Sequence, residues 1–171
     1  DYHKNMQEYF NSKKRLFTEI LSNDGCSVIC VDTREGKELS KIIKKSGRYV
    51  MEVGKDASSL NLKKLISIDK GIEMNFHYDG EEFFIPIKVE GYFQAINILC
   101  AAGLAIASGS PSDKVFATLK DLLPIIGRFE FCGYNKLNAK IYVDYAHTPD
   151  ALASALISLR NLTKGKIILI F

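Results

Sequence analysis

Arg128, Asp144 and His147 are the side chains of this sequence whose chemistry and spacing belong together. Arg128 opens an extended segment, Gly127-Arg128-Phe129-Glu130. Downstream, an alternating apolar run (Ala139, Ile141, Val143) ends in Asp144, with His147 just beyond. Thr148-Pro149-Asp150 then reads as a helix start: threonine cap, proline at the first helical position, acid in the first turn. In open α/β sheets ligands bind where strands end and helices begin, and helix N-termini favour anions. A cation, a carboxylate and an imidazole gathered there read as a nucleotide site. Each also has a plainer reading: a surface arginine at a joint, an aspartate capping its own turn, a solvated histidine.

Two further residues stand out against apolar backgrounds. Lys13 falls within about 15° of the centre of the apolar face of a helix predicted over residues 4–21, at 100° per residue. Burying a lysine is costly unless it is paired or neutral. From pattern alone, the plain reading is a snorkelling side chain with a carboxylate partner. Asn97 is the main polar interruption of a second helix, with Gln94 one turn earlier. A buried amide must find partners, and a bond to nearby backbone would satisfy it.

The elements that must position these residues follow from periodicity. Cys26–Val31 reads as a strand, 34–45 as an amphipathic helix, and Tyr49, Met51 and Val53 as the next strand. Strands are predicted over Leu60–Ile68, Gly71–Tyr78 and Phe83–Val89, the last two joined by a hairpin turn at Asp79-Gly80. Residues 91–108 form a helix apolar almost all round, and therefore expected to be buried. A shorter helix spans 112–122. Leu123-Pro124-Ile125-Ile126-Gly127 reads as a joint, followed by strand, strand, helix and the strand-like run Lys166–Phe171. In the last helix Leu152, Ala155, Leu156 and Leu159 make the inward stripe. The fold class is α/β.

Composition bounds the function. The 171 residues are 47% hydrophobic and 25% charged, a globular composition. A net charge of +3 with scattered lysines is too mild to argue for nucleic acid. Four cysteines (Cys26, Cys30, Cys100, Cys132) make no CxxC pair, and Cys26 and Cys30 share the strand face of Val28, as reduced thiols facing the core. No apolar run approaches the ~20 residues of a membrane helix, so a cytoplasmic location is expected. The chain starts at Asp1 and stops within an apolar run, which reads as a fragment of a longer protein. Truncated domains with open sheet edges predict poor solubility.

The segments Gly127-Arg128-Phe129-Glu130 and Asp144-Tyr145-Ala146-His147-Thr148-Pro149-Asp150-Ala151-Leu152 resemble the Mur ligase family, the ATP-dependent amide-forming enzymes of bacterial cell-wall precursor synthesis. Asp1-Tyr2-His3 and Tyr9-Phe10-Asn11-Ser12-Lys13 are similar to the family's DYH…YFxAK stretch. The resemblance covers most of the chain, weakens between Glu35 and Glu90, and is strongest to the member that adds the third amino acid. It implies that residues 1–126 are the back of a central ATPase domain and 127–171 the start of a Rossmann-like C-terminal domain. The implied reaction activates UDP-MurNAc-dipeptide as an acyl phosphate with ATP and Mg²⁺, then joins it to an amino acid. Lys13 matches the family's carbamylated, Mg²⁺-holding lysine. Asn97 matches an adenine contact, Arg128 the phosphate-facing arginine, Asp144 the acid on the ribose, and His147 a nucleotide-site position. The family pattern GxxNxxN has asparagine where this chain has Gln94. No GxxxxGK[ST] loop occurs, so the chain alone is expected to be inactive. A folylpolyglutamate synthase-like ligase and a non-catalytic remnant are the alternatives.

Overall fold

A computed structural model describes residues 3–69 and 71–170. Asp1, Tyr2 and Phe171, which belong to two of the segments above, lie outside the described residues.

Helix α1 (Met6–Arg15) starts where the Asn5 side chain accepts from the Glu8 amide, and runs into a π-helical turn at Leu16–Ile20. Strand β1 (Cys26–Cys30), helix α2 (Arg34–Lys45) and strand β2 (Tyr49–Gly54) form a parallel βαβ unit. Thr33 caps α2 through the Gly36 amide at 3.0 Å. Strand β3 (Leu60–Ile68) is also parallel to β2, yet only a short loop joins them. A parallel pair normally needs a crossover of a dozen residues. The register removes that need: only Val53–Leu60 and Gly54–Asn61 face each other, so β3 begins where β2 ends.

Strands β4 (Gly71–Tyr78) and β5 (Glu81–Ile87) complete an antiparallel meander, giving the order β1-β2-β3-β4-β5. Asp79 and Gly80 both take positive φ (50° and 81°), the twist-matched geometry of a two-residue hairpin.

Two cores flank the sheet. One, under α2, joins Ile29, Val31, Leu39, Ile43 and Ala57. The larger lies beneath helices α3 (Tyr92–Ala107) and α4 (Ser112–Leu119), and is built on Leu60, Leu62, Met74, Phe76, Leu99 and Phe116. Phe116 is set among the rings of Phe76, Tyr78 and Phe83.

Residues 120–129 contain no helix or strand. Beyond them, β6 (Glu130–Tyr134) and β7 (Lys140–Val143) pair antiparallel, and α5 (Pro149–Leu162) follows, capped by the Thr148 hydroxyl. The architecture is mixed α/β.

Several expectations are corrected. Helix α1 buries no residue. Of its apolar side only Phe10, with Phe17 of the π turn, reaches the smaller core, while Met6 is 72% exposed. Lys13 is accordingly exposed rather than buried, and Lys14 is the half-buried one. Helix α3 is not buried all round: Asn97, Ala101 and Leu104 form an exposed stripe, and the buried amide is Gln94. On β1, Val28 and Cys30 do pack against the larger core as expected, but half-buried; the fully buried residues are Ser27 and Ile29 of the other face. In α5 the leucine stripe is half-buried and the buried residue is Ser158. Lys166–Ile170 is not a strand: no described strand pairs with it, and a strand requires a partner to satisfy its main chain.

Candidate functional site

The N-terminus of α3 is where the two parts of the chain meet. Asp32, just past the end of β1, fixes that terminus: its carboxylate accepts from the Tyr92 hydroxyl at 2.7 Å and from the Lys55 amide at 2.8 Å. Burial, and then the Asp32 hydrogen bond, raise the Tyr92 pKa above the ordinary phenol value. Glu90 reaches the other way, accepting from Lys140 at 3.0 Å and from the Tyr142 hydroxyl, both on β7. Burial and that bond likewise raise the Tyr142 pKa.

Phe129 locks the joint. It is 4% exposed, its ring packs edge-on to Phe93 and beside Tyr142, and its backbone takes φ 51°. A left-handed backbone is uncommon for a phenylalanine. Gly91 makes room for the ring: a Cβ there would meet Phe129 Cε1 at 3.3 Å, and Gly91 itself has φ 93°.

The peptide group between Arg128 and Phe129 is held at both ends. Gln94 Nε2 donates to the Arg128 carbonyl at 2.7 Å, and the Phe129 amide donates to Asp144 Oδ2 at 2.6 Å. Asp144 Oδ1 accepts from the Ala146 amide at 2.7 Å, so the turn-capping reading of Asp144 holds and is incomplete. With its backbone fixed, Arg128 lays its guanidinium over the Tyr145 ring, 5.0 Å from the centroid. His147 Nδ1 lies 2.9 Å from the Tyr145 carbonyl. A carbonyl can only accept, so the proton belongs on Nδ1, and Nε2 of the neutral ring is left as an acceptor.

Arg128, Asp144, Tyr145 and His147, with Gln94 and Asn97 of α3, line one cleft of about 390 Å³ between α3 and the start of α5. It unites Asn97, Arg128, Asp144 and His147, four of the five positions singled out from the sequence. Tyr145 and Phe93 supply aromatic walls, and Ser154 and Ala155 of α5 a small-residue floor. A cation, an exposed amide, a carboxylate and aromatic faces suit a nucleotide. Sequence reasoning missed Tyr145 and Glu90; the former sits inside the quoted motif, whereas nothing local marks the latter. A second cleft of about 370 Å³ lies between β3 and the far half of α5, and none of the singled-out residues line it.

Lys13 is not among the cleft residues; its Nζ lies 5.3 Å from the Tyr9 ring centroid. Among the described residues no group of three His, Cys, Asp or Glu side chains could hold a metal ion. An unmodified amine offers no oxygen ligand of the kind Mg²⁺ takes. The described residues therefore do not by themselves fit a Mg²⁺ site.

The family model for the Mur ligase middle domain matches residues 1–105, and that for the Mur ligase glutamate ligase domain matches residues 127–171. The chain belongs to the Mur ligase family. The UDP-N-acetylmuramoyl-L-alanyl-D-glutamate–2,6-diaminopimelate ligase of Agrobacterium fabrum is 36% identical over 171 residues, covering 100% of this chain and 35% of that protein. The ligase of the same name from Caulobacter vibrioides is 34% identical over the same span, again with 35% of its length covered. The chain thus spans about a third of the length of the curated relatives it matches. Among solved structures, MurF from Acinetobacter baumannii superposes with a TM-score of 0.75 at 16% identity, over 91% of this chain and 33% of that one. Folylpolyglutamate synthase of Mycobacterium tuberculosis complexed with ADP gives 0.71 at 18% identity, over 94% and 35%. These two likenesses show the shared Mur ligase fold. Among the described residues no helix is long and apolar enough to cross a membrane.

Proposed function

We propose that this chain is the nucleotide-facing part of a cytoplasmic, ATP-dependent ligase of peptidoglycan precursor synthesis. Its substrates are a UDP-MurNAc-dipeptide and a third amino acid, which the names of the relatives suggest is 2,6-diaminopimelate. The observation that supports this reading best is the convergence of Asn97, Arg128, Asp144 and His147 on one cleft.

ATP, when bound, supplies the phosphoryl group that activates the substrate carboxylate, a reaction that depends on positioning and charge neutralisation. Arg128 presents a planar cation suited to phosphate oxygens, steadied by the Tyr145 ring. Asn97, exposed in the cleft, offers both a donor and an acceptor to a base edge. Each Asp144 oxygen already accepts one main-chain amide and retains a lone pair for a ribose hydroxyl. His147 adds an acceptor at Nε2. Residues 1–126 are read as central-domain and 127–171 as C-terminal-domain sequence. The assignment of Lys13 as a carbamylated Mg²⁺ ligand rests on the family resemblance alone.

Calorimetric titration of ADP into the chain tests the site. Wild type binds, and Arg128→Ala weakens binding about tenfold or more, as expected for loss of a charged hydrogen-bond donor. Arg128→Ala and Asp144→Ala variants that both bind like wild type would sink the reading.

A further inference from the structure

We infer that Gln94 is a positioning residue of this cleft, which aims the Arg128 guanidinium by holding the Arg128 carbonyl. The inference rests on the nucleotide reading above and gives a specific role to the residue that departs from the family pattern.

Gln94 is 7% exposed, and its one hydrogen bond among the described residues runs to the Arg128 carbonyl at 2.7 Å. That carbonyl and the Phe129 amide belong to one planar peptide group. Asp144 takes the amide end at 2.6 Å. A planar group held at both ends cannot rotate about its flanking bonds, so the direction in which Arg128 leaves the backbone is set. Gln94 belongs to α3, whereas Asp144 follows β7. The arginine is therefore aimed only while both parts of the chain are docked. Both α3 amides border the cleft, but Asn97, one turn along, is exposed there, whereas Gln94 is 7% exposed and spends its donor on the Arg128 carbonyl. The two amides thus differ in what they hold: Asn97 is open to a ligand, and Gln94 is bonded to the backbone that carries the cation.

The test is a double-mutant cycle on ADP affinity with Q94A, R128A and the double variant. Q94A is expected to weaken ADP about tenfold and to cost nothing further in the R128A background, because the contact it spoils is that of Arg128. Q94E keeps the size of the side chain, but only its protonated carboxyl can donate to the Arg128 carbonyl. Its ADP affinity, taken relative to wild type at each pH, should therefore rise as pH falls. Arg128, Asp144, Tyr145 and His147 face the cleft in both proteins, so the ratio isolates residue 94. Should Q94A fail to fold, the Q94E profile is compared in the wild-type and R128A backgrounds. A pH dependence that vanishes with R128A supports the inference. One that persists assigns it to the new carboxylate's own charge in the cleft and overturns the inference. A pH-independent Q94E ratio, with Q94A at wild-type affinity, overturns the inference and leaves the nucleotide site standing. Equal losses from Q94A in both backgrounds assign Gln94 a general structural role and overturn it too. A wild-type chain that does not bind ADP overturns the nucleotide reading, and this inference with it.

Discussion

Gln94 and Asp144 hold opposite ends of the same peptide group, one through the Arg128 carbonyl and the other through the Phe129 amide. The first comes from the buried side of α3 and the second from the end of β7, so a single peptide plane joins the two parts of the chain.

Asp144→Ala leaves the half-buried amides of Phe129 and Ala146 without acceptors. We predict a loss of about 1–3 kcal/mol in unfolding free energy, measured by urea denaturation. Asp144→Asn keeps one acceptor oxygen and should fall between the two. An Asp144→Ala protein as stable as wild type would show that water replaces both contacts at no cost.

Arg128→Lys preserves charge but loses the planar face that lies over Tyr145. Its ADP affinity should lie between those of wild type and Arg128→Ala. Equality with wild type in a calorimetric titration would mean that charge alone matters.

Glu90→Ala removes the shared acceptor of Lys140 and Tyr142. Hydrogen exchange at the β7 amides should accelerate about tenfold or more, consistent with the loss of charged hydrogen bonds. Unchanged protection would show that Phe129 packing suffices to hold the joint.

Glu52 sets an acid limit to stability. Burial alone would raise its pKa, but hydrogen bonds from Lys44, Ser40 and Ser58 outweigh burial and hold it at about 2. A depressed carboxyl pKa stabilises the fold above the unfolded value and loses that contribution as pH falls towards about 2. The melting temperature should drop across this window. Glu52→Gln should lower it at neutral pH and flatten the acid limb; a parallel acid limb in the variant would assign the effect to other carboxylates.

The local patterns carried much of the fold. Alternation and 3.6-residue periodicity placed α2, β3 and β4 at their observed limits, and Asp79-Gly80 named its turn, because hydrogen-bonding geometry and side-chain sterics act over a few residues. Lys166–Ile170 had the apolar run of a strand but not the state, since a strand exists only against a partner. Periodicity likewise put Lys13 at the centre of an apolar face, but it could not say that little packs against that face.

The site divides the same way. The sequence by itself determined which side chains are present (Arg128, Asp144, His147, Asn97) and the strand-to-helix turn that presents two of them. Only the tertiary structure decided that Asn97 is exposed in the cleft while Gln94, buried at its edge, bonds to Arg128, that Tyr145 lies beneath the guanidinium, and that Glu90 ties β7 to α3. Burial and long-range hydrogen bonds depend on what the rest of the chain brings alongside. Glu90 and Tyr142, 52 positions apart, meet only when the joint at Phe129 closes.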